Sequence, residues 1–376
     1  MQPEQSYFAR RNRGSILAKL DSIIKRLRDK NVQRGANADV RESEVHGIAI
    51  QVADSFMFDP VVIDLQLAEP LYIVGDILGQ FGDLLNIFEK LGYPPQSRYL
   101  FLGNYGDRGN QSIEVFCLLF ALKLKYPKHI HMLRGNHDCE YVSWQYGFLA
   151  ECVKRFSKNV WKVVMNALNC LPAVAIIEDC IFCVHSGLVP CIHYSTATSL
   201  AQLRMYITDI IRRPVSLTEN FLLTHLTWSE PVVDTHNYSA NPAGLGQWFG
   251  EKVVEDFCQR FGLQLVIRSH DFIQNGYEFT AGGKLLTIFS ASNMGDVYRN
   301  LGAVVYLRRA PDGYRIVGRI KVIVRSSRAL RGARTKIPLT VIDSLEYKAT
   351  LQKKAGALAM LQESLPRSRG KYIFFT

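Results

Sequence analysis

Five short apolar runs are each followed, within three residues, by a polar residue that can bind a metal ion. This repeated pattern is the sequence feature that most constrains the fold. The runs and the residues that follow them are Leu71-Tyr-Ile-Val74 with Asp76, Tyr99-Leu-Phe-Leu102 with Asn104, Ile130-His-Met-Leu133 with Asn136, Ile181-Phe-Cys-Val184 with His185, and Leu265-Val-Ile267 with His270. Apolar runs that alternate with helical patterns predict an α/β fold with a mostly parallel or mixed sheet. Because ligands of open α/β folds bind beyond the carboxyl ends of the strands, we expect the five side chains to converge.

The predicted cluster combines carboxylate, carboxamide and imidazole ligands. Such oxygen and nitrogen donors suit a hard or borderline divalent metal such as Mn, Fe or Zn. Any one of these residues alone would more often be an ordinary polar group at the end of a strand. The metal-site hypothesis therefore depends on all five occurring in step.

Helical spacing of apolar residues predicts two helices near the beginning of the chain. The first covers residues 15–30, with Ile16, Leu20, Ile23 and Leu27 on its apolar face. The second runs from Val45 to Phe58. No run of about 18 apolar residues occurs, so no membrane-spanning helix is predicted.

The net charge of +11 is concentrated at the two ends of the chain. Residues 1–34 contain nine basic and three acidic residues, residues 319–376 contain thirteen and three, and the segment between them has a net charge of −5. Basic ends of this kind can bind acidic surfaces or remain solvated tails. The basic linker and predicted helix after residue 320 lack interleaved aromatics, so binding of single-stranded nucleic acid is not expected.

The eight cysteines follow no metal-ligand spacing. Cys180 and Cys183 form a C-x-x-C pair, but they lie inside an apolar run that is typical of a buried strand. We interpret the cysteines as buried free thiols, which indicates an intracellular, reducing compartment: cytoplasm, nucleus or both.

The polar residues lie in blocks that resemble those of the PPP class of phosphoprotein phosphatases, nearest to its type-1 serine/threonine group. The resemblance extends from about residue 20 to residue 320. The blocks are Gly75-Asp-Ile-Leu-Gly-Gln80, Gly103-Asn-Tyr-Gly-Asp-Arg-Gly109, Arg134-Gly-Asn-His-Asp138, His185-Ser-Gly-Leu188 and Arg268-Ser-His270. It implies a metallophosphoesterase-like (calcineurin-like) sandwich of two mixed β-sheets flanked by helices.

The resemblance also implies hydrolysis of phosphoserine and phosphothreonine esters at a centre of two metal ions. Seven positions match the residues of that centre. They are Asp76 for the first metal, Asn136, His185 and His270 for the second, His137 as general acid with Asp107 as its orienting partner, and Arg108 as a phosphate-binding arginine.

Four positions depart from the family pattern. Leu78 replaces a histidine ligand of the first metal, and Asn104 replaces the carboxylate that bridges the two metals. Ala243 stands where a second phosphate-binding arginine is expected, and Met294 stands in place of a tyrosine. We therefore expect one bound cation rather than two, with Asn104 or Asp76 as a possible further ligand.

Two functions fit this pattern. The first is a pseudophosphatase that binds partners or phosphoproteins, and the second is a divergent, metal-dependent serine/threonine phosphatase that remains active. Loss of one electrostatic element commonly reduces an enzyme's rate by a factor of about 10² to 10³. The first function is therefore the straightforward expectation.

The sequence divides into a basic extension (1–17), the phosphatase-like domain (18–325) and a second basic extension (326–376). The second extension carries a predicted amphipathic helix that starts near a capping box at Asp343 and Glu346. This helix could pack on the domain, bind a partner or lie on an anionic membrane.

The resemblance implies a groove for short docking peptides of regulatory or scaffold proteins. Leu265 and Phe279 stand at matching positions, and Gly283 replaces an arginine of the groove. Packing in the core explains Leu265 and Phe279 equally well.

Overall fold

The structure, a computed structural model, describes residues 3–33, 35–233, 235–323 and 373–375. The predicted amphipathic helix after Asp343 lies outside these residues.

The α-helices are α1 Pro3–Leu27, α2 Lys30–Gln33, α3 Glu42–Phe58, α4 Phe81–Leu91, α5 Ser112–Lys125, α6 Glu140–Gln145, α7 Phe148–Arg155, α8 Lys158–Leu168, α9 Pro190–His193, α10 Leu200–Ile210, α11 Phe221–Trp228 and α12 Glu251–Phe261. The strands are β1 Val62–Leu65, β2 Leu71–Val74, β3 Arg98–Phe101, β4 Ile130–Met132, β5 Val174–Ile177, β6 Ile181–Val184, β7 Glu230–Pro231, β8 Tyr238–Ala240, β9 Gln247–Phe249, β10 Leu265–Arg268, β11 Tyr277–Thr280, β12 Leu285–Ile288, β13 Gly302–Arg309, β14 Ile316–Ile323 and β15 Ile373–Phe375.

Two mixed sheets of six strands form the centre of the described chain. One sheet has the strand order β1-β5-β6-β10-β12-β11, and the other has the order β15-β14-β13-β2-β3-β4. Parallel pairs such as β2 with β3 and β6 with β10 adjoin antiparallel pairs such as β13 with β14. The prediction of an α/β fold with two mixed sheets is confirmed.

Apolar side chains fill the space between the two sheets and the spaces under the helices. The inter-sheet core takes residues from both sheets, among them Ile73, Leu100, Ile267 and Leu286. A second cluster packs α1, α3, α5 and α8 against the outer face of the sheet that contains β2 and β3. A third packs α10, α11 and α12 against the outer face of the other sheet. The layers therefore follow the order helix, sheet, sheet, helix, as predicted.

The two predicted helices near the beginning of the chain are present with different bounds. The first helix was predicted over residues 15–30, whereas α1 spans Pro3–Leu27 and so starts earlier and ends sooner. Its residues Leu20, Ile23 and Leu27 are buried, whereas Ile16 is exposed. The second helix matches α3 closely. None of the described helices combines the length and apolarity needed to cross a lipid bilayer.

Candidate metal centre

The five predicted metal-ligand residues meet at the carboxyl ends of strands from both sheets. Asp76, Asn104 and Asn136 follow β2, β3 and β4, while His185 and His270 follow β6 and β10. Four of the five are buried, and His270 is nearly so. The side chain of Asn136 is the common neighbour of Asn104 and both histidines. The sequence therefore predicted the convergence of these residues correctly.

Tight backbone turns bring the strand ends together. Leu78, Asn104 and His270 have positive φ angles of 49°, 58° and 72°. Such left-handed conformations are uncommon for residues other than glycine, and they concentrate at functional sites. Gly103 also has a positive φ, of 113°, and a Cβ there would lie 2.5 Å from the backbone nitrogen of Gly135. The absence of a side chain thus allows the loops after β3 and β4 to touch.

Two histidines present bare ring nitrogens to the same oxygen. The Nδ1 of His185 lies 2.9 Å from the carbonyl oxygen of Leu102, which can only accept, so this nitrogen carries the proton. The Nε2 of His270 lies 3.2 Å from the Glu230 carboxylate and donates to it in the same way. The other ring nitrogens then point lone pairs at Asn136 Oδ1, from 3.0 Å for His185 and 3.3 Å for His270.

Burial keeps His185 in the neutral form that this arrangement requires. Its pKa is lowered well below the ordinary value, first by burial and then by the neighbouring His270. Asn136 Oδ1 accepts a hydrogen bond from Asn104 Nδ2, but neither ring nitrogen carries a proton toward this oxygen, so the two lone pairs repel it and a cation between them would relieve the repulsion. Metal-binding histidines usually donate their second nitrogen to a carbonyl or carboxylate, as both rings do here. Asn136, His185 and His270 therefore fit one divalent cation.

The carboxamide of Asn104 occupies the space between Asp76 and Asn136. Its Nδ2 lies 2.7 Å from Asp76 Oδ2 and 2.9 Å from Asn136 Oδ1, so its two hydrogens satisfy both acceptors. Its Oδ1 accepts from the backbone nitrogen of His137 at 2.8 Å. A bridging carboxylate at this position would bind a cation on each side. The Asn104 amide instead directs N–H groups to Asp76 and Asn136.

Apolar side chains surround the position that the resemblance assigns to the first metal. Leu78 is 4% exposed and packs with Phe289 and Ala291, and the partly buried Ile273 and Met294 complete this cluster. The remaining carboxylate, Asp76, accepts from Ser269 Oγ at 2.6 Å and from the backbone nitrogen of His270 at 3.1 Å, in addition to Asn104. Because Asp76 already accepts three hydrogen bonds and Leu78 and its apolar neighbours supply no further ligand, the residues present do not fit a cation at this position.

The predicted acid–base pair is assembled next to the cluster. His137 Nδ1 lies 2.8 Å from Asp107 Oδ2, and Asp107 Oδ1 accepts from the backbone nitrogen of Phe148 at 3.1 Å. The ring of Tyr146 packs against His137, with ring centres 5.2 Å apart. The exposed guanidinium of Arg108 lies over the same tyrosine ring, 4.8 Å from its centre.

The two other departures from the family pattern lie in different surroundings. Met294 packs against the apolar cluster around Leu78. Ala243 is exposed in a turn, where its backbone nitrogen donates to Asn241 Oδ1 at 2.9 Å.

Seven of the eight cysteines are buried, in agreement with the prediction, and Cys191 is half-buried.

Sequence reasoning missed three acidic residues around the centre. Glu230 and Asp271 lie with His270 in a group whose ligand atoms are all within 4.8 Å of one another, a candidate metal group. The hydrogen bond from His270 lowers the pKa of Glu230. Buried Asp138 accepts from the backbone nitrogens of Asn104 and Gly135, at 2.9 and 2.8 Å, and burial raises its pKa to about 6. Asp138 is the last residue of the block that begins at Arg134, and Asp271 directly follows the block that ends at His270, so nearness to these blocks could have indicated both.

Comparison with known proteins supports the relationship that the motifs suggested. Residues 69–274 match the profile of the family described as calcineurin-like phosphoesterase. A serine/threonine phosphatase from Saccharomyces cerevisiae with similarity to human phosphatase PP5 has a similar structure, with a TM-score of 0.68 and 26% identity over 77% of this chain and 91% of its own. A cold-active protein-tyrosine phosphatase of a psychrophilic Shewanella matches at 15% identity and a TM-score of 0.46, over 71% of this chain and 84% of its own.

Proposed function

The chain belongs to the calcineurin-like phosphoesterase family, and we propose that it is a type-1-like pseudophosphatase, in which the phosphatase site binds phosphoproteins but hydrolyses them weakly or not at all. The observation that carries the proposal is the position of the Asn104 amide. It donates to both Asp76 and Asn136, where a centre of two metals needs an anionic bridge. The family uses divalent metals, and within the described part of this site Asn136, His185 and His270 offer ligands for one ion.

The residues that remain intact suit binding of a phosphate group. Asn136, His185 and His270 would hold one cation, such as Mn, Fe or Zn, which when bound supplies positive charge and polarises a phosphate oxygen. Arg108 is exposed and oriented by Tyr146, so its guanidinium can pair with phosphate oxygens. Asp107 holds the Nδ1 proton of His137 and thereby orients that ring.

A second candidate function is that of an active, divergent serine/threonine phosphatase. The Asp107–His137 pair favours it, because this pair has the hydrogen-bond geometry of a general acid with its orienting carboxylate. Asp76 and a single cation would then have to activate the attacking water and stabilise the leaving oxygen, which two metal ions do in the family. The pseudophosphatase is the better-supported function, because the apolar cluster around Leu78 opposes such compensation.

Replacing Arg108 with alanine is expected to weaken binding of a phosphorylated peptide by about tenfold or more, because a charge-assisted hydrogen bond contributes about 1.5–3 kcal/mol. Isothermal titration calorimetry with a phosphoserine peptide and its unphosphorylated form measures the effect. Arg212→Ala, which removes an exposed arginine after α10, is the matched control and should leave affinity unchanged. Equal affinity of the wild-type protein for the two peptides would contradict phosphate recognition.

The expected partners are phosphoproteins and phosphatase regulatory or scaffold proteins in the cytoplasm or nucleus. The buried cysteines are consistent with a reducing compartment. The basic segments at 1–17 and 326–376 are proposed to contact acidic surfaces.

A further inference from the structure

A strand far away in the sequence covers one edge of a central sheet. The strand β15 pairs in parallel with β14, with Ile373 opposite Ile316 and Phe375 opposite Gly318. Within the described chain β14 would otherwise be the edge of its sheet, because β13 occupies only its other side. An uncovered edge strand presents unpaired backbone groups that can bind another extended chain. The pairing thus has the form of a peptide added to a sheet edge.

The ring of Phe375 fits a space that depends on Gly318. A Cβ atom at Gly318 would lie only 2.6 Å from the Phe375 ring, so any larger residue there would displace it. Phe279 of β11 packs edge-on against the same ring, with centres 5.1 Å apart. The Phe375 side chain therefore has a shaped pocket, formed by the neighbouring β14 and by β11 from the opposite sheet.

A second anchor lies two residues earlier on the strand. Ile373 packs against the inter-sheet core, which includes Leu265 and Ile316, and its backbone nitrogen donates to Gln264 Oε1 at 3.0 Å. An aliphatic residue and an aromatic residue two positions apart lie on the same face of a strand. β15 therefore contributes two apolar anchors to a site that also provides backbone pairing.

This arrangement bears on the docking groove predicted from Leu265 and Phe279. Phe279 touches the ring of Phe375 directly, whereas Leu265 is 2% exposed and belongs to the inter-sheet core. We call the surface formed by Phe279, Gly318 and the edge of β14 that β15 covers the edge groove. Two of its three parts are visible only in the structure.

We propose that β15 is a built-in occupant of the edge groove, and that a partner binds there by displacing it. A groove for docking peptides is already implied by the resemblance, and the new inference is that the chain's own β15 fills it with Ile373 and Phe375. The competing partner is an extended peptide with the same pattern as β15, a β-branched aliphatic residue followed two positions later by an aromatic residue. Backbone pairing with β14 supplies affinity that is independent of sequence, and the pockets supply specificity. This proposal does not depend on the metal centre.

Covalent attachment of β15 gives the occupant an advantage over any partner peptide. A tethered segment competes at an effective concentration that can reach about the millimolar range. The apparent affinity for a second peptide falls in proportion to the fraction of molecules in which the groove is open. Removing the two anchors of β15 should therefore increase the affinity for an external peptide.

Fluorescence anisotropy with a labelled peptide tests this proposal on the full chain. The peptide has the sequence of residues 370–376, Gly-Lys-Tyr-Ile-Phe-Phe-Thr. We expect the double variant I373A/F375A to bind it at least tenfold more tightly than the wild-type protein. Phe58→Ala, which removes an aromatic side chain that is 89% exposed elsewhere, is the matched control and should behave as wild type. A peptide with alanine in place of both anchors should bind neither protein.

Further variants locate the binding site. Phe279→Ala, added to the double variant, should abolish the gain in affinity, and Gly318→Val should do the same by filling the ring pocket. Equal binding by the wild-type protein and the double variant, whether tight or absent, would overturn the proposal. Sedimentation velocity supplies a further test: a concentration-dependent dimer that I373A/F375A dissociates would place β15 on a second copy and overturn the intramolecular form.

Discussion

Replacing Leu78 by His and Asn104 by Asp together is expected to raise Mn²⁺-dependent hydrolysis of a phosphoserine peptide by about 100-fold or more. The double change removes the apolar side chain that packs against Phe289 and restores a carboxylate next to Asp76. Asn136, His185 and His270 are already in place for the second cation. Initial rates with and without Mn²⁺ measure the effect, and metal analysis after gel filtration should rise to two ions per chain.

Three controls identify the source of any restored activity. Adding His137→Asn should abolish the gain, because this histidine is the candidate general acid paired with Asp107. The single variants L78H and N104D should each recover much less than the pair, since ligands of one centre act as a unit. Two bound metals without a gain in rate would shift the cause of inactivity to Ala243 and Met294.

The single change Asn104→Asp should make the stability of the fold depend on metal. In a chelator, the new carboxylate loses the two hydrogen bonds that the amide donates and faces Asp76 Oδ2 at about the same 2.7 Å separation. Removing such donors and burying an unpaired charge costs about 2–4 kcal/mol. Thermal melting in EDTA should show a clear loss against wild type, and millimolar Mn²⁺ should reverse it.

Asn104→Leu is the matched control for this stability effect. It also removes the donating amide, so it should be destabilised in EDTA, but it supplies no ligand and should not recover with Mn²⁺. A melting temperature of N104D in EDTA equal to that of wild type would contradict the bridging role assigned to the amide.

The convergence of the ligands could be predicted from the sequence because strand ends are local features. Each apolar run ends one to three residues before its polar side chain, and parallel strands bring such ends to one edge of the sheet. The order of the strands and the contact between the two sheets then determine which of these strand ends are neighbours. Asp76, Asn136 and His270 therefore lie together although they come from three separate blocks.

Other features depend on long-range packing that no short pattern contains. The apolar cluster around Leu78 forms only when residues near 273, 289 and 294 fold back over it. Glu230 reaches His270 through the turn after α11, and Phe375 reaches Gly318 from a distant part of the chain. The bounds of α1 also differ from the prediction, because the apolar spacing at 15–30 marks its buried face rather than its ends.

The most direct test of the central claim is the phosphatase activity of the purified wild-type protein with added Mn²⁺ on a phosphorylated peptide, measured beside His137→Asn. We expect a wild-type rate equal to that of the variant or barely above it, because the Asn104 amide and the Leu78 cluster occupy the position of a first cation and leave Asn136, His185 and His270 to hold one. A wild-type rate far above that of His137→Asn would contradict the pseudophosphatase proposal, and would show that one metal position with the Asp107–His137 pair suffices for hydrolysis.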